Sequence, residues 1–363
     1  MTLNTQPAEG TLDMEAVQSF AMRVGGILID GGTTAMMVLG DRLGLYRTLA
    51  ATGPVTAAQL STRSDLDARL LREWLSQQAA VGILDYEPAT ETFALPPERA
   101  AVLATDDSPA SMIGAAPMVS GMHRGIDRVA ESFRSGKGLA WSEQDPTIFE
   151  STERFFGTAY RTFLLQEWIP AVDGLVARLR AGANVADIGC GHGLPLILLA
   201  QSFPQSTYVG YDLHPASIDR ARQRAQETGV SEQVRFEVAD CVSYPPEPYD
   251  LITFFDSFHD LGDPVGAARY ARASLTEGGT LLLVEPLAAD DLASTIATMP
   301  TAGLSYAAST FLCAPNSLSQ PVGRALGAQA GEQQLRAVLE EAGFGHVRRV
   351  AESPFHMVFE ARP

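Results

Sequence analysis

The stretch Val185-Ala186-Asp187-Ile188-Gly189-Cys190-Gly191-His192-Gly193 constrains this chain more than any other. A short apolar run ends in an acid and then meets three glycines at alternate positions. That pattern predicts a buried parallel strand entering a tight turn, with a helix over Leu194 to Ser202 behind it. Glycine at such a turn lets the backbone bend, and approach a ligand, where a Cβ would clash. A second apolar run, Thr207-Tyr208-Val209-Gly210-Tyr211, closes on Asp212, 23 residues after Gly189. In a doubly wound nucleotide-binding fold an acid at that place meets ribose hydroxyls.

More segments of the same kind follow in order. Val234-Arg235-Phe236-Glu237-Val238 leads to Asp240, then come Tyr249 to Phe255, and then Leu275-Thr276-Glu277-Gly278-Gly279 with the apolar run Thr280 to Val284. The Asp-x-Gly-Cys-Gly-x-Gly turn differs from the dinucleotide fingerprint, which needs its third glycine one position later. With the ordered set behind it, the turn resembles motif I of class I S-adenosylmethionine-dependent methyltransferases, over roughly Gly182 to Pro363. The resemblance implies an α/β fold: a Rossmann-like, mostly parallel sheet with an antiparallel C-terminal strand. It also implies S-adenosylmethionine as cofactor and S-adenosylhomocysteine as product. Carried over residue by residue, Asp187 and the turn Gly189, Cys190, Gly191 and Gly193 would hold the amino-acid part of the cofactor. Asp212 would take the ribose, Leu213 would pack on the adenine, Asp240 with the backbone of Cys241 would accept from the adenine amine, and Phe255 would lie alongside the donor. No metal is implied, and the three cysteines, Cys190, Cys241 and Cys313, form neither a disulfide framework nor a zinc pattern.

The acid-base candidate is His259, in Phe258-His259-Asp260-Leu261-Gly262-Asp263-Pro264, just past the carboxyl end of the strand Leu251 to Phe255. Open α/β sheets bind ligands there, and an imidazole there can accept a hydroxyl proton near neutral pH. The His-Asp-x-x-Asp pattern resembles the catalytic stretch of phenolic O-methyltransferases, which implies His259 as general base and Glu285, at the end of the next strand, as the acid that orients it. One departure stands out. Those enzymes usually carry a further glutamate ahead of the last helix, where this chain has Gln329. The turn and the His-Asp motif are also similar to a bacterial group of regulator-like winged-helix methyltransferases, which keeps carbon or nitrogen methylation, a peptide or protein acceptor, and a cofactor-sensing transcription regulator open.

Before this domain, Thr11 to Thr48 reads as helical, with Val17, Phe20, Val24, Ile27, Leu28, Met36, Leu39, Leu43 and Leu45 on an apolar stripe and Gly31-Gly32 and Gly44 as punctuation. Pro54 to Leu60 and Asp67 to Val81 form a helix-turn-helix pattern. Gly82 to Tyr86 with Thr92 to Leu95 read as a β-wing, so residues 1–106 are expected to be an α-helical winged-helix domain. Such a module reads DNA when it is basic. Residues 1–105 instead hold seven arginines against twelve acids, and the whole chain carries a net charge of −17. A phosphate-backbone partner is therefore disfavoured. The Gly-Leu-Tyr, Val-Thr-Ala-Ala-Gln-Leu, Leu-Arg-Glu-Trp-Leu and Val-Gly-Ile-Leu series resembles the N-terminal domain of small-molecule O-methyltransferases. In that family it is a dimerisation and lid domain, implying a homodimer through the helix Met14 to Leu45; the same stripe also suits this domain's own core.

Residues 107–181 are expected to be a helical connector lining the acceptor pocket, with Trp141, Tyr160 and His123 as substrate contacts and Ser135 to Trp141 as a closing loop. Residues 182–363 form the cofactor-binding domain, with Pro286 to Gly331 loop-rich. Residues Met1 to Leu12 lack the build of a signal peptide and no apolar run reaches the ~20 residues of a membrane span, so a soluble, cytoplasmic protein is expected. The function expected is methyl transfer to a small-molecule hydroxyl of secondary metabolism.

Overall fold

The computed structural model describes residues 12–363, in two compact units that divide between Thr105 and Asp106. The reading of Met1 to Leu12 as lacking a leader, and the start of the first helix at Thr11, concern residues that lie almost wholly outside those described. Among the described residues no helix is long and apolar enough to cross a membrane.

The first unit holds helices α1 (Met14–Arg42), α2 (Leu45–Thr52), α3 (Ala57–Ser64) and α4 (Ala68–Ala80), then the hairpin β1 (Asp85–Glu87) and β2 (Thr92–Ala94), and α5 (Pro97–Leu103). Each start has a local cause. Asp13 caps α1, Thr56 and Gln59 form a reciprocal capping box on α3, and Asp67 caps α4. Gly31-Gly32 does not interrupt α1, contrary to the punctuation expected of it. Gly44, at φ 68°, does end the run before α2. The core gathers Tyr46, Leu49, Leu60, Leu71, Trp74 and Leu75. The Trp74 indole donates to the Met36 carbonyl at 2.9 Å and lies against Gly40, where a Cβ would collide with the ring. Upstream of that contact, α1 leaves Phe20, Met22, Ile27, Leu28 and Ile29 exposed, so this part of the stripe is not the unit's core.

The second unit opens with α6 (Ala115–Arg124), α7 (Ile126–Ser135) and α8 (Pro146–Ala159), which widens without a break into a π-helical segment, Tyr160–Trp168, before α9 (Leu175–Ala181). Strands β3 (Asn184–Ile188), β4 (Thr207–Asp212), β5 (Val234–Val238), β6 (Tyr249–Phe255), β7 (Leu275–Pro286), β8 (His346–Glu352) and β9 (His356–Arg362) form one sheet in the order β5-β4-β3-β6-β7-β9-β8. Only β9 runs antiparallel to its neighbours. Helices α10 (Leu194–Ser202), α11 (Pro215–Glu227) and α12 (Pro264–Ser274) connect the parallel strands. Two apolar cores, one on each face of the sheet, explain why β3, β6 and β7 read as unbroken apolar runs rather than alternating ones. Strand order reverses at β3, between β4 and β6, which opens a crevice at the carboxyl ends there.

The span Pro286 to Gly331 is not loop-rich. It forms α13 (Leu292–Thr298), α14 (Ala302–Ala308), a π-turn Ser309–Cys313 and α15 (Ala314–Ser319), before the last helix α16 (Glu332–Glu341). Its apolar pieces Leu312, Cys313 and Ala328 pack with Met118, Met122 and Ile148 from α6 and α8. That burial against distant helices outweighs weak local propensity.

Gly40→Ala should cost the first unit about 1–3 kcal/mol by overpacking against Trp74. Urea unfolding followed by tryptophan fluorescence checks it, and an unmoved midpoint would mean the contact has slack.

Candidate active site

The turn after β3 is held from inside. The Tyr211 carbonyl accepts from both Gly189 N (2.8 Å) and Cys190 N (3.0 Å), and Asp212 Oδ2 accepts from Gly191 N at 2.8 Å. Gly193, at φ 74°, could not carry a Cβ, because the Phe236 ring fills that space. Asp212 Oδ1 meanwhile accepts from His214 N at 2.8 Å, so each carboxylate oxygen keeps a lone pair for another donor. The turn is also tied from above. Glu153 of α8 meets His192 Nδ1 at 2.5 Å and pairs with Arg224 of α11.

These groups open onto a cavity of ≈ 530 Å³. Its floor holds Gly189, Cys190, Gly191 and Gly193, followed by Asp212 with Leu213, Asp240 with Cys241, and Phe255. Its walls hold Trp141, Tyr160 and His259. Met118, Phe155, Leu304 and Leu312 add apolar lining. Although Glu153, Asp212, Asp240, Asp256 and Asp260 line the cavity, neither arginine nor lysine does among the described residues.

Two expected residues sit elsewhere, and the departure at Gln329 has its own outcome. His123 is exposed on α6 and is not in the lining, so it is not brought to the cavity. Asp187 is fully buried beneath the turn, where Oδ1 accepts from the Thr253 hydroxyl at 2.8 Å and Oδ2 has no partner. Burial pushes its carboxyl up to about 8, with the Thr253 hydrogen bond opposing and the Asp212 charge adding to the rise. Gln329, which stands where the family has a further glutamate, donates from its amide nitrogen to the Ala328 carbonyl at 3.0 Å.

His259 and Glu285 are brought together. A single 3-10 turn over residues 258–260 gives Glu285 the backbone N–H groups of Phe258 (3.0 Å to Oε1) and His259 (3.2 Å to Oε2). His259 Nδ1 lies 2.6 Å from Oε2, and both side chains are at most 5% exposed. With Nδ1 engaged by the carboxylate, Nε2 is the nitrogen left to accept a proton, with Asp260 Oδ1 3.3 Å away. Burial resists charging the imidazole. The Glu285 carboxylate, and after it Asp260, override this and hold it well above the ordinary histidine value.

The sequence reading missed a second buried group. Asp256, in the left-handed region at φ 51°, accepts from the Tyr160 hydroxyl at 2.6 Å and contacts His356 Nε2 at 3.0 Å, both through Oδ2. Nothing local marks this group, since its members come from the end of α8, the end of β6 and the start of β9.

Residues 179–343 match the family described as "Methyltransferase domain", and residues 31–105 match the Rv2258c-like winged HTH domain. Residues 179–343 are a methyltransferase domain. Among curated relatives, the 27-O-demethylrifamycin SV methyltransferase of Amycolatopsis mediterranei is 31% identical over 145 residues, 39% of this chain and 48% of the relative. The chain thus spans about half the length of that relative. Among solved structures, the mitomycin 7-O-methyltransferase is similar with a TM-score of 0.68 at 21% identity, over 96% of this chain and 100% of the other. An O-methyltransferase from neocarzinostatin biosynthesis, solved with S-adenosylhomocysteine and 1,4-dihydroxy-2-naphthoic acid, has a TM-score of 0.62 at 20% identity, over 91% and 95%. These likenesses establish the fold.

The Asp187 carboxyl yields a pH prediction. Between its ordinary 3.8 and about 8 the folded methyltransferase domain binds a proton that the unfolded chain lacks, so stability from this group falls as pH rises through that window. From about pH 5 to about pH 8 the wild type should lose at least about 1 kcal/mol, roughly 2–4 °C, relative to Asp187→Asn. Paired thermal melts test this; parallel curves would remove the assignment.

Proposed function

We propose that this chain transfers a methyl group from S-adenosylmethionine to a hydroxyl of a small organic acceptor, with His259 as general base. The observation that carries this reading is that His259, engaged by Glu285, lines the same cavity as the glycine turn. The lining suits the cofactor. Asp212 has lone pairs left for two ribose hydroxyls, and a cavity lined by five acids and, among the described residues, by neither arginine nor lysine favours a positively charged ligand. When bound, S-adenosylmethionine supplies an electrophilic methyl on a sulfonium that is its own leaving group. The protein's part is alignment and proton removal.

Glu285 fixes the Nδ1–H tautomer, so that Nε2 takes the hydroxyl proton as the oxygen attacks. The raised basicity of His259 narrows the gap to a phenolic hydroxyl of pKa about 10, but it also leaves Nε2 protonated near neutral pH, so the imidazolium must first lose that proton and transfer should rise with pH. The apolar wall, with Trp141 and the aromatic residues of α8, would exclude water and hold a flat acceptor. Secondary-metabolite acceptors fit such a wall, and both solved relatives named above are small-molecule O-methyltransferases by description.

His259→Ala should keep cofactor affinity by calorimetry yet slow transfer at least about a hundredfold, and Glu285→Gln at least about tenfold. Unchanged turnover in the first variant would remove His259 as base. The acceptor is sought with methyl-labelled cofactor and a phenolic and polyketide panel. Label appearing only in protein or nucleic acid would overturn the small-molecule class.

A homodimer through α1 belongs to the same proposal. Phe20, Met22, Ile27, Leu28 and Ile29 are spread round one helix and are 57–78% exposed, an apolar surface that a soluble monomer rarely leaves bare. Light scattering should give twice the chain mass, and Phe20→Glu with Leu28→Glu should halve it. A wild-type monomer would refute the dimer.

A further inference from the structure

Cys313 is not used by the proposed methyl transfer, yet it sits against the base. It ends the π-turn Ser309–Cys313, a backbone irregularity often found at functional positions. The turn brings the thiol to the cavity beside His259 and Asp260. One donor atom from each residue, imidazole nitrogen, carboxylate oxygen and sulfur, lies within 4.8 Å of the other two. His259 Nε2 and Asp260 Oδ1 are 3.3 Å apart. Donors bound tetrahedrally to zinc at ~2.0–2.3 Å stand roughly 3.3–3.8 Å from one another, so the nitrogen–oxygen pair already has the required spacing and the sulfur lies within 4.8 Å of both.

Two further observations point to a ligand. Asp260 Oδ1 is buried, and only His259 Nε2, at 3.3 Å, and the Cys313 thiol stand beside it, so the groups that satisfy this carboxylate are the other two members of the cluster and all three turn toward one point. Burial raises its carboxyl above the ordinary value, with the His259 charge opposing. The outer contacts are also those of a metal site. Glu285 engages Nδ1 of the imidazole at 2.6 Å, the carboxylate–histidine arrangement that orients a metal-binding ring. The Asp260 carbonyl is held by Asn316 Nδ2 (3.3 Å) and Gln320 Nε2 (3.0 Å), so the loop that presents the carboxylate is fixed.

We propose that His259 Nε2, Asp260 Oδ1 and Cys313 Sγ form a binding site for a thiophilic divalent cation of the zinc class, with its fourth position open to the cavity. Nitrogen, oxygen and thiolate together select zinc or cobalt over magnesium or calcium, which prefer all-oxygen sites. Three protein ligands and an open fourth position are the number found in exchangeable, ligand-accessible sites. On binding, the metal–sulfur bond replaces the thiol S–H and its proton leaves to solvent, as does any proton on Nε2; nothing is oxidised or reduced.

The consequence rests on the base assignment above. The lone pair of Nε2 cannot hold a metal and accept the acceptor's proton together. Occupancy and methyl transfer therefore exclude one another, and the cation is a reversible inhibitor acting at the base.

The test is cobalt titration of the full chain, purified without a histidine tag and reduced, followed optically. One equivalent of Co²⁺ should give the visible bands of a tetrahedral site and a near-ultraviolet sulfur-to-cobalt charge-transfer band. Zn²⁺ should displace both. Cys313→Ser should abolish the charge-transfer band, and Asp260→Asn should weaken binding at least about tenfold, with circular dichroism reporting that both variants fold. No tetrahedral spectrum, or a sulfur band that persists in Cys313→Ser, would overturn the site. In the transfer assay zinc should suppress wild-type turnover, and a chelator should restore it. A cobalt spectrum alongside undiminished transfer would overturn the exclusion, and with it the role of His259 as base, while the metal site itself would stand.

Discussion

The methyltransferase domain depends on how its first βα turn is held. Three successive N–H groups at Gly189, Cys190 and Gly191 are taken by the end of β4, two by the Tyr211 carbonyl and one by Asp212. A turn that bends this sharply would otherwise leave those donors bare at the edge of a buried sheet. The interaction also fixes Asp212, whose second oxygen is bonded to His214 N. One set of hydrogen bonds thus shapes the cradle and places the acid that closes it. Phe236 of β5 then fills the space beneath Gly193, so the cradle's backbone is supported from the sheet side.

The electrostatics of the cavity follow from the same crowding of strand ends. Asp187, Asp212, Asp256 and Glu285 all sit at or near the carboxyl ends of parallel strands, and each carboxylate is tolerated through a different partner. Asp187 is neutralised by burial, Asp212 by backbone N–H groups, Asp256 by Tyr160 and His356, and Glu285 by His259 and two backbone N–H groups. An uncompensated charge at any of these depths would cost several kcal/mol. The cavity is therefore acceptor-rich without being unstable, and what it lacks is donors of charge. That asymmetry favours a cationic cofactor and an uncharged acceptor in the proposed reaction.

Much of this was legible residue by residue. The parallel strands, the glycine turn and Asp212 depend on segments whose local pattern names their place: an apolar run, the residue that ends it, and the distance to the next; the His259–Glu285 pairing came from the family resemblance. The exceptions have a common cause. Pro286 to Gly331 lacks strong periodicity and becomes helical by packing on α6 and α8. His123 falls among helical aromatics and methionines in the chain, yet faces outward, because α6 buries Met118 and Met122 instead. The Tyr160–Asp256–His356 group and the approach of Cys313 to His259 join residues from elements far apart in the chain, and no spacing rule relates them.

The sequence by itself determined the class of fold and pointed to the glycine turn, Asp212, Asp240 and His259 at its strand ends, because strand-end chemistry is encoded locally by apolar runs, glycines and the acids that follow them. Only the tertiary structure decided which nitrogen of His259 remains free, that Asp187 lies beneath the turn rather than in the cavity, and which side chains from α8, β9 and the π-turn close around the base. Those outcomes depend on burial and on contacts between distant segments, and neither is written in any one stretch of chain.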